Sequence, residues 1–172
     1  THNWKPDSCI RHEGYTRSQG MYASGVDGLL ISENLFHMNG WNEEVPDAGA
    51  NMFNHNIYLQ NTNSGCVVRG NVNSRASAHG LQLRSGGLCE DNFFLQNAIS
   101  MNSGGNGMPT QPGQDWAQVR GNVFLEGRLM DPDNTSYPRT GAVWAMAASH
   151  FTAVAEENLV ANRLHDGTNR AF

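Results

Sequence analysis

Two histidines of this sequence occupy equivalent positions, where paired imidazoles could carry out acid–base chemistry. His55 stands two residues before Ile57, and His79 stands two residues before Leu81. If these segments form neighbouring parallel strands, the two side chains lie about 4.8 Å apart. Two imidazolium ions that close disfavour each other, so at least one should be neutral near pH 7 and able to act as a general base. His37 leads into a loop that could reach the same rim.

A structural role is the alternative explanation for the histidine pair. His55 and His79 have the same alternation parity as apolar residues that should face inward. Both rings could therefore be hydrogen-bonded at a corner of the fold, where no substrate would meet them. The residue types and their spacing leave both roles open.

The outward residues of the strands around these histidines suit a carbohydrate ligand. Aromatic rings stack on the C–H faces of sugars, amides pair with hydroxyls, and an Arg fork matches a carboxylate or sulfate. Two predicted outward columns contain such residues: first Tyr22, Tyr58, Gln82, Ser100 and Trp144, then Ser24, Gln60, Arg84, Asn102 and Met146. Trp41, in the loop after His37, adds an aromatic ring at the rim. The alternative is that all of these are ordinary exposed strand residues.

Other chemistries lack their sequence signatures. There is no short zinc-ligand spacing such as H-E-x-x-H, no phosphate-binding loop and no G-x-S-x-G elbow. Cys66 and Cys89 stand within apolar strand segments and are predicted to be packed thiols. We therefore expect no metal site and no cofactor, although the acidic turn Asp131-Pro132-Asp133 could hold calcium through its oxygens. The simpler interpretation of that turn is a solvated loop.

Composition and charge limit the functions that these residues can serve. The chain has 172 residues, 38% of them hydrophobic, which suffices for one domain with a core. A net charge of −5 argues against nucleic-acid binding, and no apolar run approaches the ~20 residues that span a bilayer. Asn and Gly make up 39 residues, interleaved with aliphatic ones, which predicts an ordered and turn-rich chain. The chain opens at Thr1 without a signal-peptide pattern and is expected to be processed or excised.

A short motif of apolar residues around an asparagine recurs five times. The asparagine stands at positions 34, 71, 92, 122 and 158, with spacings of 37, 21, 30 and 36 residues. The positions three before and one after it are always apolar, and both columns are predicted to face inward. The position two before it is polar and alternates in charge over four members, which predicts an outward stack of ion pairs. Stacked amides can donate to one neighbour and accept from the other, so the motif predicts an asparagine ladder.

A strand with period-two alternation precedes each asparagine motif. In each of these strands two apolar residues, one position apart, are predicted to face inward. The predicted inward pairs are Met21/Ala23, Ile57/Leu59, Leu81/Leu83, Ile99/Met101 and Val143/Ala145. This assignment places the histidine pair and both outward columns on one set of stacked strands.

The whole pattern resembles a right-handed parallel β-helix of the pectate-lyase-like superfamily. The resemblance implies an all-β fold with about five coils over roughly residues 18–163, in a single domain 1–172. Loop insertions are expected at 39–54, 104–115 and 128–139, and they would wall an outer face. At about 4.8 Å per coil that face is about 24 Å long, which suits an extended polymer. Because stacked repeats need caps, the chain is expected to be part of a longer β-helix or to contact another chain.

The resemblance implies activity on an acidic, uronate-containing polysaccharide and a secreted or periplasmic location. Hydrolysis requires two carboxyls flanking the bond, and the outward columns contain none, although Ala78-His79-Gly80 faintly resembles the G-H-G of polygalacturonases. β-Elimination needs a base, an acid at the leaving oxygen and a holder for the uronate carboxylate. These roles are assigned to His79 or His55, to Tyr58, and to Arg84 with Gln60 and Gln82. A C5-epimerase would use nearly the same residues, and the non-enzymatic alternative is a glycan-binding or structural β-helix such as a tailspike or adhesin segment.

Overall fold

The computed structural model describes residues 18–44, 49–104, 116–128, 142–146 and 152–161. Within these residues the chain forms fifteen short β-strands and no helix. In chain order the strands are β1 (Met21–Ala23), β2 (Leu30–Ser32), β3 (Leu35–His37), β4 (Ile57–Leu59), β5 (Val67–Arg69), β6 (Val72–Ser74), β7 (His79–Leu83), β8 (Gly87–Glu90), β9 (Phe93–Leu95), β10 (Ile99–Ser103), β11 (Trp116–Arg120), β12 (Val123–Leu125), β13 (Ala142–Met146), β14 (Thr152–Glu156) and β15 (Leu159–Ala161).

The strands assemble into three parallel sheets of five strands each. The first sheet has the order β1-β4-β7-β10-β13, the second β14-β11-β8-β5-β2 and the third β15-β12-β9-β6-β3. Each strand thus belongs to a different sheet from the strand before it, and every third strand returns to the same sheet. The described chain is therefore all-β with parallel sheets, which is compatible with the predicted parallel β-helix. The predicted insertions at 104–115 and 128–139 lie almost wholly outside the described residues.

The register of the second sheet is the one that the asparagine motif predicts. The column three residues before the asparagine runs through aligned pairs such as Val68 with Cys89 and Cys89 with Val119. These inward residues are almost fully buried in the middle repeats. In the charged column, Arg120 and Glu90 form an ion pair with an N–O distance of 2.7 Å. The predicted ion-pair stack is confirmed at this step of the sheet.

The asparagine ladder is also confirmed. The amide nitrogen of Asn71 donates to Asn92 Oδ1 over 3.0 Å, and that of Asn92 donates to Asn122 Oδ1 over 3.0 Å. Asn34 and Asn158 extend the series at its two ends. Each of these side-chain oxygens also accepts the backbone N–H of the preceding asparagine in the stack. The ladder therefore satisfies backbone and side-chain groups at one corner of every repeat, a corner that is buried at Asn71, Asn92 and Asn122.

The apolar column one residue after the asparagine faces outward, so the prediction that it faces inward was wrong. Leu35 and Leu159 are each 57% exposed, whereas Phe94 and Phe124, two residues after their asparagines, are 1% and 2% exposed. The reason is that the asparagine side chain itself points inward. The residue after it therefore points outward, and the second residue after it points inward again. A residue with positive φ precedes each asparagine and bends the chain there: Glu33, Gly70, Asp91, Gly121 and Glu157.

The fourth strand of the first sheet is shifted by two residues from the predicted register. Met101 aligns with Leu81, and Ile99 aligns with His79. A shift of two keeps every side chain on its own face, so alternation alone cannot distinguish the two registers. As a result Asn102, and not Ser100, continues the column of Gln82.

The core lies between the three sheets. It contains the inward residues of the first sheet, Ile57, Leu59, Leu81, Leu83 and Met101, all of them fully buried. The same core contains Phe94 and Phe124 of the third sheet, whose rings stack with centroids 4.9 Å apart. This packed interior fixes the first sheet from behind, so that its outward side chains are held in register.

Candidate functional site

The histidine pair is the centre of the candidate site. His55 directly precedes the corner that leads into β4, and His79 is the first residue of β7. Their ring centroids lie 4.7 Å apart and their Nδ1 atoms 3.1 Å apart, which confirms the predicted adjacency. The rings are 5% and 4% exposed. A distance of 3.1 Å between two ring nitrogens requires one proton between them, so the two histidines cannot both be imidazolium in this arrangement.

The ring of His55 lies with the outward residues of the first sheet, contrary to its predicted inward parity. It packs edge-on against Tyr58, with centroids 5.4 Å apart, and its Nε2 lies 3.0 Å from one terminal atom of the Gln82 amide. Asn56, the next residue, turns its amide inward and donates to Asn73 Oδ1 over 2.7 Å. A corner at Asn56 therefore resets the alternation between His55 and Ile57. The inward amide also belongs to a second stack, Asn39-Asn56-Asn73, which the spacing of the asparagines did not predict.

Four outward side chains follow one another across the first sheet. Tyr22, Tyr58, Gln82 and Asn102 are aligned in register, and the two tyrosine rings pack edge-on with centroids 5.4 Å apart. Tyr22 is 54% exposed, whereas the other three are 6%, 8% and 9% exposed. Asn102 Oδ1 is buried and has no hydrogen-bond partner among the described residues. The column is thus open at Tyr22 and largely enclosed beyond it.

Arg84 connects the aromatic and amide parts of this column. Its guanidinium carbon lies 5.0 Å from the centre of the Tyr58 ring, a cation–π contact. Its Nε and Nη2 atoms lie 3.2 and 3.3 Å from the other terminal atom of the Gln82 amide, which is assigned as the oxygen because arginine only donates hydrogen bonds. Gln60 follows Leu59 and Arg84 follows Leu83, and these two leucines are aligned in register. Gln60 and Arg84 are both half-buried. The structure therefore brings together His55, His79, Tyr58, Gln82 and Arg84, five of the residues that the sequence analysis proposed for a site.

Three other predicted site residues are placed elsewhere. His37 is in β3 on the third sheet, where its Nδ1 lies 2.8 Å from Ser74 Oγ. Trp41 is 4% exposed and is held by the fold, because its Nε1 donates to the Arg75 carbonyl over 2.7 Å. Trp144 was predicted to share a column with Ser100, but β13 aligns it with Met101. β13 is out of its predicted register by one residue, because Ala145 and not Trp144 stands beside Asn102, so the predicted alignment of Val143 and Ala145 with the inward residues was wrong.

A cluster around Trp41 was not predicted. The guanidinium carbon of Arg128 lies 3.9 Å from the Trp41 ring centre, and Arg75 forms an ion pair with Glu43 next to it. Burial, together with the nearby Arg75 charge, lowers the pKa of Arg128 to about 10. Arg128 also donates to the Ala76 carbonyl over 3.3 Å. The only signal in the sequence was that Arg128 opens a predicted insertion, so the contact depends on the tertiary structure.

The described residues contain no group of three histidine, cysteine or acidic side chains that could hold a metal ion. Asp131 and Asp133, the predicted calcium candidates, lie outside the described residues. Burial raises the pKa of the Cys66 thiol, and it raises that of Cys89 to about 12. Both thiols are therefore protonated and packed at neutral pH, as predicted.

Comparison with known proteins gives no relative from which a function for this site could be inferred. No family model, no curated protein and no solved structure matches the chain significantly. Within the part of the chain that the structure describes, no helix is long and apolar enough to cross a membrane.

Proposed function

We propose that the chain is a right-handed parallel β-helix of the pectate-lyase-like kind, acting outside the cell on an acidic polysaccharide. The outer face of the first sheet would bind uronate residues and cleave the chain by β-elimination, or epimerise it at C5. The observation that supports this most directly is one cluster of mutually contacting groups: two imidazoles, a phenol, an amide and a guanidinium. These are the group types that elimination next to a carboxylate requires.

Each group has a role in this reaction. Arg84 is the charged group that pairs with a uronate carboxylate, and so makes the α-proton more acidic. The His55–His79 pair takes the proton, because only one proton lies between the two rings and the pair can accept another. Tyr58 donates a proton to the leaving oxygen, while exposed Tyr22 stacks on a neighbouring sugar. The proton removed from carbon is thus balanced by the proton delivered to oxygen.

A non-catalytic glycan-binding protein is the second candidate. The observation that favours it is the near-complete burial of both imidazoles, which are 5% and 4% exposed and contact each other. A binding protein would use the open end of the column, around Tyr22, Gln60 and Arg84. In that case the histidine pair stabilises the corner and takes no part in chemistry.

The two candidates are separated by incubating the protein with a panel of uronate polysaccharides and following ultraviolet absorbance from the unsaturated product. We expect absorbance to rise with at least one polymer. His79→Ala should lower that rate by about 10²–10⁴-fold, the usual contribution of a general acid or base. His37→Ala is the matched control, since His37 lies on a different sheet, and it should retain the rate. Saturable binding with no product from any polymer, and no C5 inversion by NMR, would identify a binding protein instead.

A further inference from the structure

Arg84 determines the orientation of the Gln82 amide. Arginine carries only hydrogen-bond donors, so the Gln82 atom that faces Arg84 Nε and Nη2, at 3.2 and 3.3 Å, must be the oxygen. The amide nitrogen then faces His55 Nε2, at 3.0 Å. Because an amide nitrogen can only donate, His55 Nε2 must accept and carries no proton.

The orientation of Gln82 in turn sets the tautomers of both histidines. A neutral imidazole without a proton on Nε2 carries it on Nδ1, so His55 Nδ1 donates across 3.1 Å to His79 Nδ1. His79 Nδ1 then accepts, and the proton of His79 is on its Nε2. One contact favours the opposite tautomers: the His79 backbone N–H lies 3.3 Å from His55 Nδ1. It is one long hydrogen bond from a neutral donor, whereas the Gln82 amide that faces His55 Nε2 is oriented by two contacts with the charged Arg84 group, and these favour a proton on His55 Nδ1.

We propose that Gln82 is a positioning residue, which keeps the His79 proton on Nε2 as long as Arg84 holds the Gln82 oxygen. In this resting state His79 presents an N–H and not the lone pair of a base. Arg84, Gln82, His55 and His79 contact one another in this order. The group that pairs with Arg84 therefore determines which ring nitrogen of His79 carries the proton.

This coupling suggests how substrate would activate the base, a step that rests on the proposed function. When a uronate carboxylate takes over Arg84, the Gln82 amide is free to turn and to present its oxygen to His55 Nε2. The proton on His55 Nδ1 then moves to His79 Nδ1, His55 Nε2 takes a proton from water, and His79 Nε2 gives one to water. Both rings stay neutral, and His79 Nε2 now holds the lone pair that removes the α-proton. A chain without a carboxylate would leave His79 in its resting tautomer.

The experiment is ¹⁵N NMR of the histidine rings in the full chain without ligand, which reports directly which nitrogens carry protons. In the native protein we expect His55 protonated on Nδ1 and His79 on Nε2. Gln82→Glu replaces the amide donor by a carboxylate that only accepts, so the His55 Nε2 resonance should move to the protonated range. Gln60→Glu adds the same charge to the same sheet away from His55, and should leave both rings unchanged.

Arg84→Met tests the coupling from its other end. It leaves Gln82 in place and removes the donors that orient it, so the His55 Nε2 signal should shift towards the protonated range. The proposal is overturned if the native protein shows His55 protonated on Nε2, or if Gln82→Glu and Arg84→Met both leave the two rings unchanged. Since this measurement needs no substrate, its result is independent of whether elimination is ever observed.

Discussion

Asn92 is the residue whose removal tests the asparagine ladder most severely. Its Oδ1 accepts the buried backbone N–H of Asn71 over 3.0 Å, and its Nδ2 donates to the Val68 carbonyl and to Asn122 Oδ1. Asn92→Ala leaves the Asn71 N–H buried without this acceptor, at a cost of about 1–3 kcal/mol, and each lost amide hydrogen bond adds about 1 kcal/mol or less. We therefore expect the free energy of unfolding to fall by about 2–4 kcal/mol, a large share of the ~5–15 kcal/mol of a typical domain.

Urea denaturation followed by circular dichroism measures this loss. With a slope of about 2 kcal/mol per molar urea, the midpoint should fall by about 1–2 M. Asn34→Ala is the matched control, because Asn34 is an exposed end of the same ladder and donates to the Ser32 carbonyl, which water can reach. Its midpoint should change by less than half as much. Equal midpoint shifts for the two variants would refute the argument that burial of the ladder, and not the asparagine itself, supplies the stability.

The remaining predictions concern pH, surface charge and ligand binding. The Cys89 thiol has a pKa of about 12 in the folded chain against 9.0 as its ordinary value, so the unfolded state loses this proton first and stability falls as pH rises above 9. Between pH 9 and 10 this contribution falls by about 1 kcal/mol, and Cys89→Ala should remove it from the urea midpoints, leaving only the slope of the Cys66 thiol, whose pKa is also raised. Above pH 10 the lowered pKa of Arg128 acts in the opposite direction, which confines the test to that window. Arg120→Ala should change the urea midpoint little, because the Arg120 side chain is 46% exposed and solvent screens its charge; a clear drop would contradict this. Tyr22→Ala should weaken glycan binding in calorimetry without moving the histidine ¹⁵N signals, and unchanged affinity would exclude Tyr22 from the binding surface.

Much of the fold could be predicted because the asparagine motif repeats its local chemistry. An amide that must pair with the next amide aligns every copy, so the register of the second sheet followed from spacing alone. The adjacency of His55 and His79 followed in the same way from their equal distance to Ile57 and Leu81. The Arg120–Glu90 pair was predictable because opposite charges alternate along one column.

Three features could not be predicted by the same reasoning. Both residues after Asn92, Phe93 and Phe94, are apolar, so the sequence does not show which of them faces inward. The positive φ of Asp91 bends the chain before the asparagine, and this bend turns Phe94 inward and leaves Phe93 outside. A strand shifted by two residues keeps its alternation, so nothing local placed Asn102 beside Gln82. Trp41 was expected at a binding rim, but Arg128, 87 residues later, covers its ring.

Residue types and their spacing were by themselves sufficient to determine the parallel strands, the amide ladder and the set of groups that could do chemistry. Those properties depend on interactions that are repeated in each copy of the asparagine motif, so they appear as a repeating pattern in the sequence. The tertiary structure decided which face His55 joins and which groups surround the two imidazole rings. Both depend on single contacts, the inward turn of Asn56 and the donors of Arg84 on Gln82, which occur only once and leave no period in the sequence.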